Sequence, residues 1–200
     1  MPELPRLVVL ISGGGTNLQA ILDACAEGTL PAQVAAVYSN KPDAYGLVRA
    51  RQAGVPAIAF PKREGESRPD YDRRLADSVE SLNPSFIVLA GWMRLLTMEF
   101  LGRFPGRVIN LHPALPGTIP GTHAIERAYE AWTKGEIDRS GVMVHLVPDE
   151  GVDVGPVLGT EEILFRAGES LEAFEGRVHA VEHRLLVETI KDLLNTKGTK

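Results

Sequence analysis

Four short stretches of this 200-residue chain gather residue types that do chemistry. The first is Ser12-Gly13-Gly14-Gly15-Thr16-Asn17, between a β-branched apolar run and a helix-like pattern. Glycine lets the backbone turn sharply and come close to a ligand. A helix starting at Thr16 would point free N–H groups and its positive dipole end at that loop, so a phosphate is the natural guest. The loop is not a P-loop, because no Gly-Lys-Ser/Thr follows. It is not the dinucleotide fingerprint either: Leu18 holds the third glycine position, and the next strand ends in Ser39-Asn40 rather than an acid. A tight strand-to-helix turn without a ligand would use the same glycines.

The second stretch is Asn110-Leu111-His112-Pro113. Strand side chains alternate, so Asn110 and His112 face one side. An amide donor for an oxyanion and an imidazole able to move a proton would then converge. The third is Asp149-Glu150-Gly151-Val152-Asp153-Val154-Gly155-Pro156, acids among glycines in a loop that brings a carboxylate to a site or forms a solvated turn. A carboxylate beside an imidazole favours its protonated form. The fourth, His179-Ala180-Val181-Glu182-His183, matches the pattern of one zinc peptidase class. A zinc site needs a third protein ligand, and His112, His123 and His145 stand in no ligand pattern, so a charged helix face accounts for the segment and no metal is expected.

These stretches fall at the ends of regular elements. Leu7–Ile11, Val34–Tyr38, Pro56–Phe60, Ser85–Ala90 and Arg107–Leu111 read as strands, and Gly141–Val147 and Pro156–Phe165 as two more. Leu18, Ile21, Leu22 and Cys25 mark one helix face, with Gly28 as its stop. Leu47–Ala53 is a short helix ended by Gly54. Ser67 and Asp70 form a capping-box-like start for a helix through Tyr71, Leu75, Val79 and Leu82. Ile125, Ala128, Tyr129 and Trp132 mark another helix, and Ser170 caps a last one running to about Leu194. Cys25, Tyr129 and Trp132 on apolar faces read as core. The order predicts an α/β protein. It is expected to be a single-domain open twisted sheet over residues 1–200, with a parallel Rossmann-like first half, an antiparallel element in the C-terminal half, and helices on both faces.

Hydrophobic residues are 44% and charged residues 24%, as in soluble globular chains. Lys plus Arg is 21 against 26 Asp plus Glu, a net charge of −5 that argues against a nucleic-acid surface. One cysteine excludes an internal disulfide and fits a reducing compartment. The start Met-Pro-Glu-Leu-Pro-Arg lacks the pattern of a signal peptide, and no apolar run spans a membrane, so a cytoplasmic protein is expected. Oligomeric state is open: the acidic charge and the Met98, Phe100, Leu101 stretch fit a monomer or a homodimer.

Taken together, the motifs resemble the glycinamide ribonucleotide formyltransferase family. The residues carrying the resemblance are Val9 to Ile21, Tyr38-Ser39-Asn40-Lys41 with Ala44-Tyr45-Gly46-Leu47, Val88 to Leu96, Asn110-Leu111-His112-Pro113 and Asp153-Val154-Gly155-Pro156. Order and spacing hold from about residue 6 to about residue 190. The resemblance implies transfer of a formyl group from 10-formyltetrahydrofolate, as co-substrate, to the amine of glycinamide ribonucleotide in purine synthesis. By that similarity Gly15, Thr16 and Asn17 hold the substrate phosphate, and His179 and Glu182 contact the same substrate. Met93, Arg94, Leu95 and Leu96 form one folate wall, Asp149, Glu150, Gly151, Val152 and Asp153 the other, and Arg68 lies near the folate. Asn110, which also borders the folate, His112 and Asp153 match the catalytic trio. The nucleotide-phosphate half is then about 1–105, and the catalytic and folate half about 106–200.

The chain departs from the family pattern in three places. Ala114-Leu115-Pro116-Gly117 follows Pro113 where Ser-Leu-Leu-Pro is common, so a hydroxyl is missing. The stretch from His123 to His145, with Lys134-Gly135-Glu136-Ile137-Asp138, is longer than in compact members. The loop from His145 to Asp153 carries one extra residue. A 10-formyltetrahydrofolate hydrolase shares the trio but usually has an N-terminal regulatory domain, for which a first strand at residue 7 leaves no room. A formyltransferase acting on initiator tRNA is longer and carries a C-terminal nucleic-acid domain. A non-catalytic nucleotide-binding module would bind phosphate and leave His112 dispensable.

Overall fold

A computed structural model of the chain describes residues 3–197; the first two and last three residues of the expected domain lie outside it. The elements follow in the order β1 (Arg6–Ile11), α1 (Thr16–Ala26), β2 (Gln33–Ser39), α2 (Tyr45–Gln52), β3 (Ala57–Ala59), α3 (Arg68–Glu80) and β4 (Phe86–Leu89). Then come α4 (Met98–Leu101), β5 (Val108–His112), α5 (Ala124–Thr133), β6 (Arg139–Leu146), β7 (Val157–Leu164) and α6 (Leu171–Lys197). The seven strands form one sheet in the order β3-β2-β1-β4-β5-β6-β7. The first five are parallel; β6 and β7 are antiparallel.

Strand alternation divides the core. Leu7, Val9 and Ile11 of β1 pack with Phe86 and Val88 of β4 under α1, α2, α5 and α6. Val8 and Leu10, with Ile87 and Leu89, pack under α3 and α4. A sheet covered on both faces needs such unbroken apolar strands. Ser67 caps α3, its hydroxyl accepting from the Asp70 N–H at 3.2 Å. Ser170 caps α6 in the same way, through Ala173 N–H at 3.2 Å.

Some boundaries differ from the sequence expectation. The third strand is only Ala57–Ala59, and α3 stops at Glu80, leaving Leu82 beyond the helix but packed on the core. The Met98 to Leu101 stretch is a short helix whose Phe100 and Leu101 are buried, so two of its three apolar side chains serve the core rather than an outer surface. Cys25 is packed against the core as expected, and burial pushes its thiol up to about 11, away from the reactive thiolate form. Among the described residues no helix is long and apolar enough to cross a membrane.

The strand order reverses between β1 and β4, the place where an open α/β sheet leaves a crevice at its strand C-termini. One buried hydroxyl ties the loops there. Ser12 Oγ donates to Asn40 Oδ1 at 2.5 Å and accepts from Met93 N–H at 2.8 Å, while Ser12 N–H donates to Gly91 O at 3.0 Å. The glycine loop is backed by α2, where Gly46 N–H donates to Gly13 O at 3.0 Å. A Cβ on Gly46 would lie 2.3 Å from Ile11 Cδ1. Gly15 takes φ 73°, a left-handed conformation that favours glycine, and ends the loop at the first turn of α1.

Candidate active site

The antiparallel pairing of β5 with β6 sets Asn110 opposite His145, with His112 two residues along β5. The chain leaves β6, forms the 147–156 loop, and returns as β7, where Val157 pairs with His145. Leu146 N–H donates to Pro156 O at 2.9 Å, closing that loop at its base. Gly155 is required there: a Cβ would stand 1.8 Å from the Leu146 carbonyl oxygen. Asp153 adopts φ 54°, a left-handed conformation in which aspartate is among the better tolerated residues. The Asp-x-Gly-Pro motif is thus a return turn that lays the Asp153 carboxylate across β5 and β6.

That carboxylate gathers donors. Asn110 Nδ2 donates to Asp153 Oδ1 at 3.1 Å, and Gly121 N–H donates to Oδ2 at 2.9 Å. His112 Nδ1 lies 3.4 Å from Oδ2, and His145 Nε2 lies 3.5 Å from Oδ1. Burial pushes the Asp153 carboxyl upward, but the His145 ring, the Gly121 N–H and the charge of His112 outweigh it and hold the group below the usual aspartate range. The other nitrogen of His112, Nε2, meets Ile119 O at 2.7 Å. Both ring nitrogens of His112 therefore face groups that only accept, and the protonated ring satisfies both. His145 is bonded differently. Its Nδ1 meets Leu146 O at 2.8 Å, and its Nε2 stands 3.1 Å from Asn110 Nδ2 and 3.5 Å from Asp153 Oδ1.

The trio borders a cavity of about 460 Å³. One wall is the loop after β4, Met93 to Leu96; the other is Asp149 to Asp153. Met93 and Leu95 are exposed, and Leu96 is buried. Arg94 is half-buried, its guanidinium 4.5 Å from the Tyr71 ring centroid, so it lies over an aromatic face rather than open to water. Arg68, the first residue of α3, donates from Nε to Leu95 O at 2.9 Å and so ties that wall to α3. The structure thus brings Asn110, His112 and Asp153 together with both expected folate walls.

Gly15, Thr16 and Asn17 stand where expected, at the start of α1, and the Oδ1 atom of Asn17 is buried without a partner. His179 and Glu182 lie on α6, which packs against α1. Glu182 is buried, and its Oε2 accepts from His179 Nδ1 at 2.7 Å. That bond takes one of the two ring nitrogens of His179 and turns the ring toward Glu182. No group of three or more His, Cys, Asp or Glu is placed to hold a metal ion among the described residues.

His145 is the cavity-lining neighbour of Asn110 and Asp153 that sequence motifs passed over. Its signal is a lone imidazole in an apolar strand at a position paired with Asn110, readable only once register is known. The Ile119 carbonyl and the Gly121 N–H are backbone groups and carry no side-chain signal at all.

This α/β frame, with its Asn, His and Asp at the strand ends, belongs to a known class. The chain is a member of the formyl transferase family, whose model it matches over residues 5–190. It is 44% identical to the phosphoribosylglycinamide formyltransferase of Schizosaccharomyces pombe, over 94% of this chain and 96% of that protein. Its identity to the Escherichia coli protein of the same name is 42%, over 90% of this chain and 82% of that one. The crystal structure of glycinamide ribonucleotide transformylase 1 from Symbiobacterium toebii superposes with a TM-score of 0.88 at 40% identity, covering 96% of this chain and 88% of that one.

The geometry predicts that His112→Ala and Asp153→Asn each lower formyl-transfer turnover by about tenfold or more. Asparagine tolerates the left-handed backbone at position 153, so circular dichroism is expected to report an unchanged fold. A near-wild-type kcat in either variant removes that residue from the mechanism.

Proposed function

We propose that this chain transfers the formyl group of 10-formyltetrahydrofolate to the amine of 5'-phosphoribosylglycinamide, giving formylglycinamide ribonucleotide and tetrahydrofolate in purine synthesis. One observation carries the reading. Asn110, His112 and Asp153 meet at the mouth of a cavity walled by residues 93–96 and 149–153, at the strand ends. Residues 1–105 would supply the phosphate loop and one folate wall; residues 106–200 would supply the trio and the other wall. The single cysteine suits a cytoplasmic enzyme, acting as a monomer or a homodimer.

The chemistry follows from the groups present. The neutral amine nitrogen attacks the formyl carbon; a C–N bond forms and the carbonyl π pair moves onto oxygen. The Asn110 amide and the His112 ring stabilise that oxyanion, a donor of this kind being worth about 3–4 kcal/mol in the transition state. To do so, His112 Nε2 must exchange the Ile119 carbonyl for the oxyanion, and Asn110 Nδ2 must exchange His145 Nε2 for it, so the 113–121 loop takes part in loading the site. Collapse of the intermediate breaks the bond to the folate nitrogen. The proton lost by the amine passes, through His112 or a water at Asp153, to that leaving nitrogen. Asp153 orients His112 and balances its charge throughout.

The substrate phosphate would lie on the α1 N-terminus at Gly15, Thr16 and Asn17, with His179 and Glu182 on the neighbouring helix beside it. The test is loss of 10-formyltetrahydrofolate followed spectroscopically with and without the ribonucleotide. Loss only in its presence supports the transfer. Loss without it means hydrolysis, and no loss from folded protein leaves a binding module.

The His179–Glu182 bond yields a second expectation. Glu182 raises the His179 pKa above the ordinary imidazole value, more than burial lowers it. His179 therefore keeps its charge to higher pH than a free imidazole and loses it as pH rises through that raised value. The KM for the ribonucleotide is predicted to rise by about fivefold between about pH 6 and about pH 9. The rise should vanish in His179→Gln; an unchanged pH profile in that variant would exclude His179 as the phosphate's partner.

A further inference from the structure

A second cavity, of about 590 Å³, opens beside the first. Its lining is charged where the first is largely apolar: Arg68, Glu99, Arg103 and Glu150 surround it. Among the described residues Glu150 alone lines both cavities. Its carboxylate is fixed at this junction, Oε1 accepting from Met98 N–H at 3.2 Å and Oε2 lying 3.5 Å from Arg68 Nη2.

The cations here are unequally committed. Arg103 is bound to both Asp77 and Glu80, and Arg73 to Asp70 and Glu99. Arg68 spends its Nε on Leu95 O, but its Nη2 is buried and makes no hydrogen bond. The Glu150 carboxylate is near enough to attract it and too far to satisfy it. Arg68 is thus the cation in the second cavity with unused bonding capacity, and it is half screened by a carboxylate of the chain itself.

The geometry points to Glu150 as a specificity residue that competes with the formyl donor's own anionic tail. The inference rests on the proposed function, because a folate carries a glutamate carboxylate beyond its ring system. A donor whose rings fill the first cavity reaches the second only past Glu150. Its tail carboxylate would then take Arg68 Nη2 and release Glu150, one anion replacing another on the same guanidinium. Donors lacking that carboxylate have nothing to offer Arg68 and leave Glu150 in place. Since Glu150 lies three residues before Asp153 in one loop, tail binding also bears on the segment that carries the catalytic carboxylate.

The test is Glu150→Gln, which keeps shape and removes the competing charge. Titration calorimetry would compare folate with pteroate, which lacks the glutamate, in wild-type and variant protein. Half-exposed ion pairs of this kind change affinity by about fivefold or less. The variant is therefore expected to bind folate about two- to fivefold more tightly, with the folate-to-pteroate affinity ratio rising by the same factor. A ratio that stays the same or falls overturns the proposal; weaker folate binding in the variant would make Glu150 a direct anchor instead. Because binding is read without turnover, failure of the formyl-transfer assay would leave this comparison able to decide.

Discussion

The site depends on one carboxylate held in a place where carboxylates are costly. Asp153 is largely buried in a left-handed turn, and burial alone would favour its neutral form. Two N–H donors, one from Asn110 and one from Gly121, and two imidazoles offset that cost. The same contacts fix the directions of Asn110 and His112, so charge balance and geometry are a single constraint. Removing the carboxylate would leave donors from β5, β6 and the 113–121 loop without their shared acceptor.

The sheet exists in the form it does because that constraint needs two strand directions. Parallel strands β1, β4 and β5 deliver loops to one edge, where Ser12 ties the glycine loop to the 93–96 wall of the cavity. An all-parallel sheet would send the chain away from that edge after β5. The antiparallel β6–β7 pair instead brings His145 beside Asn110 and turns the chain back at Asp153. Gly155 and Pro156 serve that return: the first because no side chain fits against Leu146 O, the second because its carbonyl closes the loop base.

Much of this was legible in the residues, for identifiable reasons. Unbroken runs such as Phe86–Leu89 announce a strand covered on both faces, and Ser67 and Ser170 announce helix starts. The trio was readable because Asn110 and His112 share a strand face and Asp153 stands among turn-forming residues. The resemblance to a family supplied the roles proposed for them. Contacts set by long-range packing were not readable. His145 needs the β5–β6 register, the Ile119 carbonyl has no side-chain signature, and Arg68 meets Glu150 across 82 positions of chain through two separate elements. Met98 to Leu101 could not be assigned to an element because four residues are too few to show a helical period; packing against α3 decides them.

The central claim is that His112 and Asp153 act as one unit, the carboxylate working through the ring. A double-mutant cycle tests this most directly, with kcat measured for His112→Ala, Asp153→Asn and the double variant. If the pair is one unit, the double variant will be no more than about threefold slower than the slower single variant, because the second change removes nothing that remains. Losses that multiply, each substitution costing its full factor in the presence of the other, would show two independent contributions and contradict the account.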